Sequence, residues 1–333
     1  MSGGGLGRCL VVGAGLIGSH VARRLADEGA DVTVFSRGLN PWLDEERRRG
    51  IDIHLGEVQE GERVLEELVA ASDTVVHTAS SSRPPTAVRD PVWDLQNSVV
   101  PALTVMRLVL AAPHAPMLLL ASSGGTVYGN PVELPTPETH PLLPRTPYAI
   151  SNVAVERYAD FYAAQGSLRR VVLRFSNVFG PGELGRGGQG VVGVWLRQIA
   201  AGTESALLGD PTLARDFVYV DDAATAVAAV VRGARQGVYN VGSSRATTLA
   251  EVMEIMKEVT GMPVEFEPSA PPEGHPTSYI ERTQLDIRHI REDTGWVPQT
   301  SFVDGVRKTW SWVLGVTASG DAADVPRHAG DLR

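Results

Sequence analysis

The sequence predicts an α/β fold, a doubly wound parallel sheet with a smaller C-terminal α/β unit. Three observations carry this. Over the first 125 residues, short apolar runs alternate with amphipathic stretches, the pattern of a parallel sheet with crossover helices. Between the first run and the first amphipathic stretch stands Gly13-Ala14-Gly15-Leu16-Ile17-Gly18, a glycine turn joining strand to helix. After about residue 176 the rhythm breaks into glycine-rich loops, which marks a second unit.

Residues 9–12 read as a buried strand and residues 17–28 as a helix with Val21, Ala22 and Leu25 on one face; Gly29 ends it. Strands follow at 31–35, 51–55, 74–78, 117–122 and 170–174, with long helices at 97–111 and 148–164. In the second unit a helix is expected near 194–202. Another is expected at 247–260, where Leu249, Val252, Met253, Met256 and Val259 form an apolar stripe ended by Gly261. The proline-rich stretch 267–277 reads as a loop. The stretch 316–333, rich in Ala, Asp, Gly and Arg, reads as a frayed tail. The expected division is residues 1–176 for the first domain, with about 217–242 returning to it, and 177–315 mainly for the second.

The 333 residues are 43% apolar and 21% charged, enough for a sizeable core and too little charge for disorder. A net charge of −9 argues against a nucleic-acid partner. No apolar run reaches the roughly 18 residues that span a membrane, and the N-terminus lacks a signal-peptide pattern, so a soluble cytoplasmic protein is expected. One cysteine, Cys9, excludes a disulfide framework, and the eight histidines show no metal-ligand spacing, so no metal site is expected.

The glycine turn is built for a dinucleotide. Gly13 permits the tight turn, Gly15 lets a pyrophosphate approach the backbone, and Gly18 allows the helix to pack on the strand. The helix start at Leu16 and Ile17 faces the phosphates. The end of the second strand, where NAD-binding versions carry a carboxylate for the ribose 2′-hydroxyl, reads Phe35-Ser36-Arg37. A hydroxyl and a guanidinium suit a 2′-phosphate, so NADP(H) is favoured over NAD(H) within the NAD(P) class; a solvated surface arginine is the alternative.

Five further stretches keep order and spacing over residues 8–313: Val75-Val76-His77-Thr78-Ala79-Ser80, Ser122-Ser123-Gly124-Gly125-Thr126-Val127-Tyr128-Gly129, Pro147-Tyr148-Ala149-Ile150-Ser151-Asn152, Leu173-Arg174-Phe175-Ser176-Asn177-Val178-Phe179-Gly180-Pro181-Gly182, and Arg215-Asp216-Phe217-Val218-Tyr219-Val220-Asp221-Asp222. Together they resemble the extended short-chain dehydrogenase/reductase family, in its NAD(P)-dependent epimerase/dehydratase branch typified by UDP-glucose 4-epimerase. The resemblance implies a Rossmann fold with a C-terminal substrate-binding domain, a nucleotide-diphosphate sugar as substrate, and a homodimer paired through the helices near Asn97 and Tyr148.

The resemblance also implies roles. Tyr148 is the proton-transfer residue, while Asn152 stands where the family has lysine. Gly124 stands where the family has Ser or Thr, leaving Ser123 and Thr126 as the nearby hydroxyls toward the sugar. Cofactor contacts fall on Glu57 and Val58 at the adenine, unless Glu57 is only a surface acid, on Ala79 and Ser80, on Tyr148 and Asn152, and on Asn97 unless it is only a helix cap. Substrate contacts fall on Thr126, Tyr148, Gln189, Gly190, Val191, Val192, Leu208, Asn177 in preference to a turn asparagine, Trp195 unless it is core, and Arg215 unless it only pairs with Asp216. A second family arginine is replaced by Gly274-His275-Pro276, with Arg282 nearby.

Three functions stay open. A nucleotide-sugar epimerase has the widest motif support, through transient hydride transfer to a bound nicotinamide. An NADPH-dependent reductase of an NDP-4-keto sugar fits Ser36, Arg37 and Asn152, because ketone reduction uses neutral tyrosine as acid. A catalytically impaired nucleotide-sugar-binding protein would explain the replaced lysine and hydroxyl. A 4,6-dehydratase is disfavoured, since that branch carries Thr-Asp-Glu where this chain has Gly124-Gly125-Thr126.

Overall fold

A computed structural model describes residues 5–80, 84–183, 190–202, 207–262, 266–268 and 280–318. The chain runs β1 (Arg8–Ala14), α1 (Leu16–Asp27), β2 (Asp31–Leu39), β3 (Ile51–Leu55), α2 (Glu62–Ala71), β4 (Thr74–His77), α3 (Pro84–Arg89) and α4 (Pro91–Asp94). A π-helical turn (Leu95–Val99) leads into α5 (Val100–Ala111), β5 (Met117–Ser123), α6 (Pro147–Ala164) and β6 (Arg170–Phe175). The later part holds β7 (Asn177–Phe179), α7 (Val191–Ala200), β8 (Leu207–Gly209), β9 (Ala214–Tyr219), α8 (Val220–Arg232) and β10 (Gly237–Val241). It ends with β11 (Ala246–Thr248), α9 (Leu249–Thr260), β12 (Phe266–Pro268), α10 (Arg288–Thr294) and α11 (Phe302–Ala318).

Seven strands form one parallel sheet in the order β10-β6-β5-β4-β1-β2-β3. The order reverses beside β1, because β2 and β3 run one way from it and β4 the other. Ligands of such sheets bind in the crevice past the strand ends at that reversal. Strand alternation builds two apolar layers: Cys9 and Val11 of β1 face the layer under α1 and α8, and Leu10 and Val12 face the layer under α2, α5 and α6. A third apolar cluster, with Phe179, Trp195, Leu196, Phe217, Val252 and Met256, holds α7, α9 and α11 around a three-stranded sheet β11-β9-β7.

Some local expectations are corrected. Residues 97–111 are not one α-helix: the chain inserts a π-helical turn around Asn97 before α5. The stretch from 267 is not all loop, because Phe266–Pro268 pairs with β8; its remainder up to residue 279 lies outside the described residues. The tail begins later than residue 316, since α11 runs through Ala318. The sequence pattern also missed α2, α8 and the short strands from β7 onward. α2 is an ordinary amphipathic helix buried at Leu65 and Val69, and α8 is alanine-rich with only a narrow open face at Asp221, Thr225 and Arg232.

Candidate active site

The glycine turn leaves β1 for α1 with each glycine in a different setting. A side chain at Gly13, which has φ +98°, would stand 2.6 Å from the backbone of Ala79; one at Gly18 would strike the Gly13 carbonyl. Gly15 has open space where its side chain would be, on the side from which a phosphate can approach the α1 N-terminus. Thr78 Oγ1 donates to Gly13 O at 2.7 Å and clasps the turn to the end of β4. These residues therefore fit a dinucleotide: two glycines are set by backbone packing, and the third is left open.

The ribose corner is less simple than the sequence suggests. The Ser36 hydroxyl accepts from Ala14 N at 3.0 Å and donates to Gly38 O at 2.7 Å, so it joins β1 to β2. The Arg37 guanidinium lies 3.8 Å from the Glu57 carboxylate, both half exposed, and Val58 is buried in the layer under α2. Ala79 packs against the Gly13 turn. Ser80 Oγ sits 3.5 Å from Ser98 Oγ on the π-helical turn. Asn97 donates from Nδ2 to Trp93 O at 2.9 Å and caps no helix. Ser98, within the π-helical turn, therefore meets the loop after β4.

Tyr148 sits in the first turn of α6, fixed by Pro147 at the helix start and by Thr146, whose hydroxyl accepts from Ala149 N at 3.2 Å. Burial pushes its phenol above the ordinary tyrosine range and the nearby Asp94 charge pushes it further. Hydrogen bonding with the side chains of Ser123 and Asn152 pulls it back. Asn152 also donates from Nδ2 to Tyr148 O at 2.9 Å, one helical turn on. Asp94, buried at the end of α4, accepts from Ser151 Oγ at 2.5 Å. Thr126 Oγ1 instead bonds Ser123 O at 3.4 Å.

The glycine at 124 has a steric reason. A side chain there would stand 2.7 Å from Leu285 Cδ1 and 2.9 Å from Arg174 O. Leu285 packs against Val127 and Tyr128, so the C-terminal unit fills the space that a hydroxyl at 124 would need. Ser123, the last residue of β5, is the hydroxyl that reaches Tyr148. A buried ion pair holds this assembly: Arg174 Nη2 to Glu156 Oε2 at 2.6 Å, with Ser122 Oγ donating to Glu156 at 2.5 Å and Arg174 Nη1 to Tyr128 at 2.9 Å. It locks α6, and hence Tyr148, to β5 and β6.

Among the residues expected to meet substrate, Asn177 donates from Nδ2 to Asp216 O at 3.0 Å and stands beside Gly125. Asp216 is buried and accepts from the backbones of Ser243, Ser244 and Leu285, so its carboxylate is turned into the fold; Arg215 donates to Ala214 O and Glu281 O. Val192 and Trp195 are buried in the third apolar cluster, while Gly190 and Val191 lead into α7. Glu183, buried, accepts from Gly193 N at 3.0 Å across the start of α7, and burial pushes its carboxyl up to about 8. Gln189 and residues 274–276 lie outside the described residues, as does the side chain of Leu208 on β8; Arg282 bridges to Ala214.

The pattern described as the NAD dependent epimerase/dehydratase family matches residues 9–242, more than half of the chain. The chain belongs to this family. The UDP-glucose 4-epimerase of Mycolicibacterium smegmatis is 32% identical over 319 residues, 91% of this chain and 97% of that protein. That of Azospirillum brasilense is 31% identical over 346 residues, 96% and 95% of the two chains. The solved UDP-glucose 4-epimerase of Thermotoga maritima with UDP-glucose is 29% identical with a TM-score of 0.83, covering 93% of this chain and 99% of that one. The Thermus thermophilus UDP-glucose 4-epimerase complex with NAD is 30% identical with a TM-score of 0.82, covering 92% and 99%.

The span matched to the epimerase/dehydratase family ends one residue past β10 and so takes in all seven strands of the main sheet, the glycine turn, Ser123 and Tyr148. Leu285 lies beyond it. Asp94, Ser98 and Leu285 were missed by motif reading. Ser98 is the neighbour of Asn97 within the same π-helical turn. Asp94 and Leu285 reach the site from distant sequence and carry no local signal. Among the described residues no group of three His, Cys, Asp or Glu side chains is placed to hold a metal, and no helix is long and apolar enough to cross a membrane.

Proposed function

We propose that this chain is a nucleotide-sugar 4-epimerase that interconverts the two configurations at C4 of an NDP-hexose. The observation that carries this reading is Tyr148 at the start of α6, with the Ser123 hydroxyl at the end of β5 hydrogen-bonded to its phenol. When bound, the nicotinamide supplies the reversible hydride acceptor for C4. Tyr148 takes the proton of the C4 hydroxyl and returns it, and Ser123 hydrogen-bonds the same oxygen. Asn177 and Arg215 hold the diphosphate and residues 189–192 the base, with Gly190 and Val191 at the α7 start. Residues 1–176 and about 217–242 carry the cofactor, and 177–315 carry most of the substrate.

Asn152 takes the place of the family's lysine, so proton transfer runs without a lysine one turn past Tyr148. Burial and Asp94 favour the neutral phenol, and that favours the acid role. This supports a second reading, an NADPH-dependent reductase of an NDP-4-keto sugar. Arg37, near the end of β2 where NAD-binding chains carry a carboxylate, supports NADP(H) over NAD(H). Glu57 at 3.8 Å opposes a 2′-phosphate, and the Ser36 hydroxyl is already committed, so the preference rests on Arg37 alone. Exposed Val92, Leu95, Ile150, Tyr158 and Phe161 on α4, the π-helical turn and α6 support a homodimer through that face.

The test is direct. Purified protein is incubated with UDP-glucose and followed by proton NMR, with Tyr148→Phe as control. UDP-galactose formed without added cofactor, and lost in the variant, supports the epimerase. Consumption of NADPH with a 4-keto sugar and no epimerisation supports the reductase, and turnover retained in Tyr148→Phe removes that residue from both.

A further inference from the structure

Ser176 is where the chain leaves the main sheet, after β6 ends at Phe175, and enters the second sheet, as β7 starts at Asn177. It is 8% exposed, and its Oγ has no hydrogen-bond partner among the described residues, although its backbone N–H donates to Val241 O at 2.8 Å. Buried hydroxyls are nearly always paired, so an unpaired one at this strand end leaves a hydrogen bond for a ligand or a water to make.

Its direction follows from β6. Val172 faces the layer under α6, and Arg174 reaches Glu156 of α6, so by the two-residue repeat Ser176 faces the same way. Helix α6 runs back from β5 to β6. From Arg174 to Ser176 the strand climbs about 6.6 Å, and from Glu156 to Asn152 the helix climbs about 6 Å. The Ser176 hydroxyl is therefore level with Asn152, in the turn that starts at Tyr148. Its neighbours agree: Phe175 is the register partner of Ser123, and Asn177 lies beside Gly125. The glycine turn on β1 is three strands away, about 14 Å, so the diphosphate of a dinucleotide there is out of reach.

We propose that the Ser176 hydroxyl pairs with a hydroxyl of the sugar ring and acts as a specificity-determining residue. This rests on the epimerase reading. The pairing gives the site a preference for hexoses that present a hydroxyl at that point over deoxy analogues, because the unmatched analogue leaves a buried polar group unpaired.

The test is Ser176→Ala in the full chain with its own cofactor. Binding of UDP and of UDP-glucose is measured by calorimetry, together with turnover, bound nicotinamide and Tm. The expected result is UDP affinity unchanged within about twofold, UDP-glucose weakened roughly ten- to a hundredfold, unchanged nicotinamide content, and a ligand-free Tm equal to or above wild type. The Tm direction matters, because a methyl in place of an unpaired buried hydroxyl relieves the fold, whereas a structural role lowers Tm. A variant with wild-type UDP-glucose affinity and turnover overturns this inference and leaves the epimerase reading standing. A loss confined to nicotinamide assigns the hydroxyl to the cofactor and overturns it, as does an equal loss for UDP and UDP-glucose with a lower Tm. Wild-type protein that binds no UDP-sugar overturns both this inference and the epimerase reading.

Discussion

Asn152→Lys places a cation one turn past Tyr148, where only an amide now stands. The asparagine gives up its bond to Tyr148 O, 2.9 Å in the wild type, at about 0.5–1.5 kcal/mol. Against that, an unperturbed tyrosine with a pKa near 10 is only about 0.1% ionised at pH 7, and burial with Asp94 makes Tyr148 less ionised still. A cation within about 4–6 Å lowers such a pKa by roughly 1–3 units. Below its pKa the tyrosinate fraction scales with the pH distance, so the base form at neutral pH rises roughly ten- to a thousandfold. Buried Asp94 is on hand as a counter-charge for the new lysine, which limits its desolvation cost. The assay is the pH dependence of kcat for UDP-glucose epimerisation between about pH 6 and 10. The rising limb should move to lower pH by about 1–3 units, with a matching gain at neutrality. If the protein is a reductase, ketone reduction should gain little or slow. A variant that binds cofactor normally and shows neither a shifted limb nor a changed rate in either direction refutes the coupling of residue 152 to Tyr148.

Other outcomes follow from the same geometry. Arg37→Ala should weaken NADP(H) more than NAD(H), by about 1.5–3 kcal/mol for a lost charged hydrogen bond; equal losses in paired titrations would remove Arg37 from the 2′ position. Gly124→Ser, which restores a hydroxyl at the family position, should not raise activity. It should instead cost about 1–3 kcal/mol by overpacking against Leu285 and the Arg174 carbonyl, read as a lower denaturant midpoint. Glu183 has a folded pKa of about 8 against an ordinary 4.5, so it binds its proton more tightly when folded, and its stability contribution is present below about 4.5 and lost as pH rises through about 8. Glu183→Gln keeps an acceptor for Gly193 N. Its Tm advantage over wild type should therefore grow from pH 5 to pH 8, and a pH-independent difference would contradict the buried-acid assignment.

Much of the main sheet was legible because its strands are buried on both faces and read as plain apolar runs, Leu10 to Val12 and Leu118 to Leu120 among them. The glycine turn was legible because each glycine answers a separate backbone demand. The second unit was harder to read. Its strands are only three to six residues long, and α8 is so rich in alanine that its narrow open face, Asp221, Thr225 and Arg232, gives little contrast. In the site, Tyr148 and Asn152 share one helix turn, so their spacing predicted their proximity. Ser123 and Thr126 could not be ranked from sequence, since the choice depends on which hydroxyl the end of β5 turns toward α6. The reason for glycine at 124 was beyond any motif, because Leu285 arrives from 161 residues away (285 − 124). The helix start expected at Asn97 was set wrongly for a physical reason: the π-helical turn Leu95–Val99 carries no mark in the sequence.

The central claim is that C4 is oxidised and re-reduced within one site, with Tyr148 carrying the proton. The measurement that addresses it most directly is the fate of deuterium from UDP-glucose labelled at C4, incubated with purified protein in ordinary water. The account predicts UDP-galactose that keeps the deuterium at C4, formed without net consumption of nicotinamide and only when Tyr148 is intact. Deuterium released to solvent, or a reduced product formed in proportion to oxidised NADPH, would contradict it.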